Sequence, residues 1–178
     1  MRNGYFLLAL HAHLPFVRHP EYERFLEEDW LFEGISETYL PLIRVFERID
    51  EDRIPFRMTI SLSPTLLSML SDSLLQERYI KHLERSIELA EKETRRTKEL
   101  PEFHELSKMY LNLFRENYRD FTERFNRDLI SVFKRFQNSG LLELITCGAT
   151  HAFLPLLEGF PKAVEAQIHI AVQLHEKT

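Results

Sequence analysis

Three short apolar runs, each ending in a polar cluster and each followed by a stretch of helical periodicity, constrain this chain more than any other feature. The runs are Tyr5–Leu10, Phe56–Ser61 and Leu141–Thr146. Apolar runs of that length, bounded by turn residues, read as buried strands. The segments between them are long and repeat apolar residues at three- and four-residue intervals, as helices do. Strands alternating with helical crossovers pair in parallel. The expected fold class is therefore α/β.

The helical segments have recognisable ends. Ser36 caps a helix predicted to reach Ile49, with Tyr39, Leu42, Ile43 and Phe46 on one face. Residues 11–34 form a long connection carrying Pro15, Pro20 and the acidic-aromatic stretch Glu27-Glu28-Asp29-Trp30-Leu31-Phe32-Glu33, whose carboxylates are expected on a solvated surface. Two long helices follow the second strand. One spans Ser73–Thr97. The other runs from Pro101 past Phe114, Phe125 and Phe136 to a stop at Gly140. They are predicted to form a hairpin inserted between strands two and three, with the aromatic stripe serving helix packing. A last helix spans Pro161–His175. Three parallel strands make a poor complete sheet. The chain, residues 1–178, is thus expected to be a fragment of a larger barrel. It would depend on a missing part or on self-association.

Composition narrows the function classes. The formal net charge is −5, and no Lys/Arg cluster stands clear of acidic neighbours, which disfavours a nucleic-acid partner. Cys147 is the only cysteine, so an internal disulfide is excluded and a reducing, cytoplasmic location is expected. No stretch is long and apolar enough for a membrane span, so no membrane partner is expected. Abundant charge with few Asn and Gln leans towards a thermophilic source.

The polar clusters carry the chemistry. They are His11/His13, Ser61/Ser63 and Thr146/Cys147/Thr150/His151. In parallel α/β folds, ligands bind at the C-terminal strand ends. Two readings follow. A His-x-His pair at a first strand end can hold zinc or a related ion, joined by His151 and Cys147, although no spacing matches a specific zinc motif. This would make a metal-dependent hydrolase. Alternatively, His11, His13, Ser61, Thr150 and His151 supply hydrogen bonds to a sugar, and Trp30 an aromatic platform. No convincing pair of catalytic carboxylates, Gly-rich phosphate loop or nucleophile elbow is present.

The stretch His11-Ala12-His13-Leu14-Pro15-Phe16-Val17 resembles the first sequence signature of glycoside hydrolase family 57. Residues 140–151, ending Thr146-Cys147-Gly148-Ala149-Thr150-His151, resemble its second. The segments at Glu28–Glu33 and Thr59–Leu67 are similar to its α-glucan branching-enzyme and amylase-like branch. One departure is Ala152, where branching-type members carry glycine, a residue that allows a backbone angle alanine resists. The resemblance implies a partial (β/α)7-type barrel and retaining cleavage or transfer of α-glucosidic bonds in glycogen-type carbohydrate metabolism, without a cofactor. It implies that His11, His13 and His151 contact sugar and that Trp30 stacks on glucan. It also implies that the glutamate nucleophile and aspartate acid/base of the family lie in signatures this chain does not contain. No catalytic residue is therefore assigned, and the chain alone is expected to be inactive. A non-catalytic α-glucan-binding or assembly fragment is the alternative of a different class.

Overall fold

A computed structural model describes Gly4 and residues 6–177. Three strands, β1 (Ala9–Ala12), β2 (Met58–Leu62) and β3 (Leu142–Ile145), form one parallel sheet in the order β1-β2-β3. The register sets His11 beside Ser61 and Ser61 beside Ile145. Helices α1 (Glu28–Glu33) and α2 (Leu40–Glu51) flank a π-helical segment, Gly34–Tyr39. Then come α3 (Pro64–Leu70), α4 (Ser73–Arg96), α5 (Pro101–Arg119), a second π-helical segment (Asp120–Arg124), α6 (Leu129–Asn138), a 3₁₀ turn (Leu154–Leu157) and α7 (Pro161–Lys177).

The chain divides into two compact units. One comprises residues 1–18, 46–71 and 130–178; the other comprises residues 19–45 and 72–129. The first unit holds the sheet. Alternation sends Leu10, Ile60, Leu62, Leu142 and Leu144 to one face and His11, Thr59, Ser61, Glu143 and Ile145 to the other. Ile60, Leu62 and Leu142 are buried, and so are Leu66, Met69 and Phe133 on α3 and α6. On the polar face Thr59 Oγ1 donates to Glu143 Oε2 at 2.7 Å. Ser63 caps α3 by accepting from the Leu66 amide at 3.3 Å, ahead of Pro64 in the first turn.

The second unit is helical. Its core includes Leu31, Ile35, Tyr79, Leu83 and Phe121, all nearly solvent-free. Asp72 caps α4 by accepting from the Leu75 amide at 3.0 Å. The π-helical turn at Gly34–Tyr39 interrupts the ordinary hydrogen-bond ladder. The Ser36 carbonyl there accepts from Asn117 Nδ2 at 2.9 Å, and the Ser36 hydroxyl meets Tyr79 OH at 2.9 Å. Asp120, fully buried, accepts from Arg44 Nε at 2.7 Å and Arg124 Nη1 at 3.0 Å.

The expected strand–helix order and parallel pairing are present. Boundaries differ for physical reasons. Strand β1 starts at Ala9, opposite Thr59, with the Leu8 carbonyl accepting from the Thr59 amide at 3.3 Å just ahead of it; Phe6, Leu7 and Leu8 are exposed. Tyr5, the expected start, lies outside the described residues. The helix expected from Ser36 begins at Glu28, so the acidic-aromatic stretch is helical. Glu28 and Asp29 in the first turn suit the positive helix end. Glu28 is buried, not solvated. The helix expected to run unbroken from Pro101 to Phe136 is interrupted after residue 124, where Asn126 (φ 47°) and Arg127 (φ 66°) adopt left-handed backbone. Leu106 and Tyr110 of its stripe are half-exposed, Tyr110 stacking on Phe114 at 5.8 Å between centroids.

Candidate functional site

The C-terminal end of the sheet brings three imidazoles together. His11 is the third residue of β1, and His13 follows two residues on, past the strand's last residue. Two-residue spacing keeps both side chains on one side, and their rings stack at 5.9 Å between centroids. His151 arrives from the turn after β3, with its ring 4.7 Å from His11 and 4.5 Å from His13. His151 Nε2 and His11 Nε2 are 2.8 Å apart. One of these nitrogens must carry a proton and the other a lone pair, so the pair holds at most one positive charge.

His13 is oriented from the first turn of α3. The Thr65 hydroxyl donates to the Leu14 carbonyl at 2.8 Å, and its oxygen lies 3.5 Å from His13 Nδ1. With the Thr65 proton committed, a contact there requires the proton on His13 Nδ1. Burial, then the neighbouring His151 and His11, push the His13 pKa below the ordinary imidazole value. Among the described residues no carboxylate bonds to any of the three rings. The arrangement therefore presents ring nitrogens that can donate and accept, suited to vicinal hydroxyls. It suits a metal ion poorly. The His11–His151 contact consumes nitrogens a cation would need, and no group of three or more His, Cys, Asp or Glu among the described residues is placed to hold one.

The turn presenting His151 is held by a residue the sequence did not single out. Gln167, on α7, accepts from the Ala149 amide through its carbonyl (2.9 Å) and from the Thr150 amide through Oε1 (2.9 Å). Its Nε2 donates to Thr150 Oγ1 at 2.8 Å. His151 itself has φ 57°, a left-handed conformation costing a non-glycine residue about 1–2 kcal/mol. Ala152 is not in that region. The glycine expected after the histidine is thus not required for the angle; the strain sits one residue earlier. Gly148 does have a packing reason, since a Cβ there would come 3.2 Å from Gln167 Oε1.

The other expected site residues divide. Ser61 lies in β2, buried, in register with His11 and on the same face of the sheet. Thr150 is exposed, and its oxygen is engaged by Gln167, which makes it part of the turn's hold on its own geometry. Cys147 is half-buried, and burial raises its pKa. Trp30 belongs to the other unit. It is half-exposed on α1, opposite the buried Leu31 and Phe32. Neither Gln167 nor Thr65 carried a local signal, because each acts across many residues of chain.

Parallel strands joined by helices, with hydrogen-bonding rings gathered at the C-terminal strand ends, are an α/β arrangement of the kind β/α barrels use. The model of Glycosyl hydrolase family 57 matches residues 7–178, and the chain belongs to that family. The chain is 37% identical, over 98% of its length, to the 1,4-alpha-glucan branching enzyme TK1436 of Thermococcus kodakarensis, of which it spans 25%. Among solved structures it resembles the alpha-amylase AmyC of Thermotoga maritima, with 48% identity and a TM-score of 0.90. That match covers 96% of this chain and 32% of AmyC. It also resembles the GH57-type branching enzyme of the hyperthermophilic archaeon Pyrococcus horikoshii, with 32% identity and a TM-score of 0.90, covering 98% of this chain and 32% of that one. The chain thus spans about a quarter to a third of the length of these relatives. The fold is the α/β type of the family's (β/α)7 barrels.

Proposed function

We propose that this chain supplies the first part of the α-glucan cleft of a branching-enzyme-like or amylase-like retaining enzyme. The convergence of His11, His13 and His151 at the strand ends carries the reading. Imidazoles in their neutral form can bind the sugar at the cleavage position without placing a fixed charge beside a developing oxocarbenium ion. Ser61 and Thr150 line the same end, and Trp30 offers the aromatic face on which a glucose unit stacks. The relatives support α-glucan as the substrate class. We place the protein in the cytoplasm, acting without a cofactor.

Retaining chemistry needs two carboxyl groups about 5–5.5 Å apart. The resemblance puts the family's nucleophile and acid/base in signatures this sequence does not contain, and on that ground the 178 residues alone are proposed neither to cleave nor to transfer glucan. Purified chain incubated with amylose is expected to yield no new branch points or reducing ends; a clear rise in either overturns this.

In the sheet, β1 and β3 each have one hydrogen-bonded neighbour among the described residues. Ile168, Ile170 and Val172 are exposed on α7. Unpaired edges and exposed apolar surface favour association. The remaining part of a barrel, or failing that a second copy, covers them. Sedimentation of the chain should show self-association, and a clean, stable monomer would contradict it.

A further inference from the structure

Trp30 is the single tryptophan, and the two residues before it are fastened to α4. Glu28 is only 1% exposed. Its Oε1 accepts from Arg78 Nη1 and, at 3.1 Å, from the His19 amide. Arg78 also donates to the carbonyls of His19 (3.1 Å) and Tyr22. Asp29 Oδ2 accepts from Arg24 at 3.2 Å, while its Oδ1 lies 3.5 Å from His82 Nδ1. Arg78 and His82 are four residues apart, one turn along a single face of α4. Behind Trp30, the Phe32 ring packs against Tyr79 at 5.8 Å and His82 at 5.3 Å. Glu28 and Asp29 are thus both engaged ahead of Trp30, yet Trp30 is 51% exposed.

A buried ion pair that is merely structural is a poor source of stability, because desolvation offsets its attraction. What it supplies is geometry. The planar fork of Arg78 joins one carboxylate and two carbonyls at once, which a flexible apolar contact or a lysine cannot do. An aromatic side chain already ordered before binding loses less freedom when a ligand lands on it.

We propose that Glu28 and Arg78 are positioning residues that hold Trp30 as a preset platform for an α-glucan. This rests on the glucan reading above. The whole chain reports on it directly, since tryptophan emission comes from Trp30 alone. In Arg78→Met the emission anisotropy of Trp30 should fall and acrylamide quenching should rise, while circular dichroism stays unchanged. Maltoheptaose affinity, read from the same emission, should weaken about tenfold, as for loss of an ordered aromatic anchor. The double variant Glu28→Gln/Arg78→Met removes the pair without stranding a buried charge and repeats the test if the single variant does not fold. Unchanged anisotropy and quenching in either folded variant overturn the proposal. If those readouts change while affinity in Arg78→Met equals that of the parent, Trp30 is held but not preset for sugar, and the proposal again falls. The glucan reading fails separately: maltoheptaose binding to Trp30→Ala that matches the parent, followed by calorimetry, would remove the platform role itself.

Discussion

His151 and Trp30 are both exposed aromatic side chains presented by a short segment, and each unit of the molecule fixes its own by opposite chemistry. In the sheet unit the hold is neutral. Gln167 reaches from α7 to the 149–150 turn with amide groups, and the imidazoles bond to each other and approach Thr65. In the helical unit the hold is ionic, through Glu28 with Arg78 and Asp29 with Arg24. On the glucan reading proposed above, the difference has a reason. Beside a reacting sugar a fixed charge would bias every charge-developing step, so dipoles are the compatible means there. A stacking platform would tolerate charge behind it, because an indole face binds by shape and dispersion. Neutral hydrogen bonds contribute modestly and independently, whereas a buried ion pair is costly to halve. That asymmetry can be broken experimentally.

The largest effect should come from halving the ionic hold. Arg78→Met leaves the Glu28 carboxylate buried without its partner and should cost about 3–5 kcal/mol in urea unfolding. Glu28→Gln/Arg78→Met should regain most of it. If the single variant costs no more than the double one, Glu28 is not a stranded charge and the contrast with the sheet unit dissolves. The corresponding cut on the neutral side is smaller. Gln167→Ala removes two side-chain hydrogen bonds from a solvent-exposed turn and should cost about 1–2 kcal/mol. Its local consequence is larger than its global one, since the left-handed His151 loses its support. The imidazole proton resonances of His11 and His151 should then lose the signature of their mutual hydrogen bond.

Acidity probes both units at once. The His13 pKa is lowered by burial first and then by His151 and His11. The His82 pKa is lowered by burial, which outweighs the attraction of Asp29. In each case the folded chain prefers the neutral ring. Each contribution is fully present above the unfolded histidine value of about 6.5 and is lost as pH falls through the lower folded value. The denaturation midpoint should therefore decline on acidification below about pH 6.5. His13→Gln and His82→Gln should each flatten part of that decline. A midpoint with the same pH slope in both variants would show that the titrating groups lie elsewhere.

The strand–helix order was legible because its signal is local: short apolar runs, Ser63 and Pro64 at a helix start, and Gly140 with φ 76° at a helix end. The histidine cluster was legible because strand alternation and a shared end of the sheet follow from the order of elements alone. What stayed hidden depended on partners distant in sequence. Glu28 looks like one more surface carboxylate until Arg78, fifty residues later, is seen beside it. Gln167 sits in an ordinary amphipathic helix and acquires its role from a turn seventeen residues earlier. The break after residue 124 was invisible to periodicity, because the buried residues on either side keep helical spacing while two residues turn left-handed.

The smallest expected effect concerns the turn's one departure from its family pattern. If alanine at 152 strained the backbone, Ala152→Gly would stabilise the chain. The left-handed angle is at His151, however, and Ala152 lies outside that region. Glycine at 152 therefore relieves nothing in the folded state and widens the conformational freedom of the unfolded one. The variant should be destabilised by about 0.4–1 kcal/mol. His151→Gly tests the same point from the other side. It removes a strain of about 1–2 kcal/mol at the angle itself, together with the imidazole contact to His11. Its stability should stay level with the parent or exceed it, while the ring at 151 is gone. Stabilisation by Ala152→Gly would put the strain at the wrong residue and weaken the case that Gln167 is what holds His151 in place.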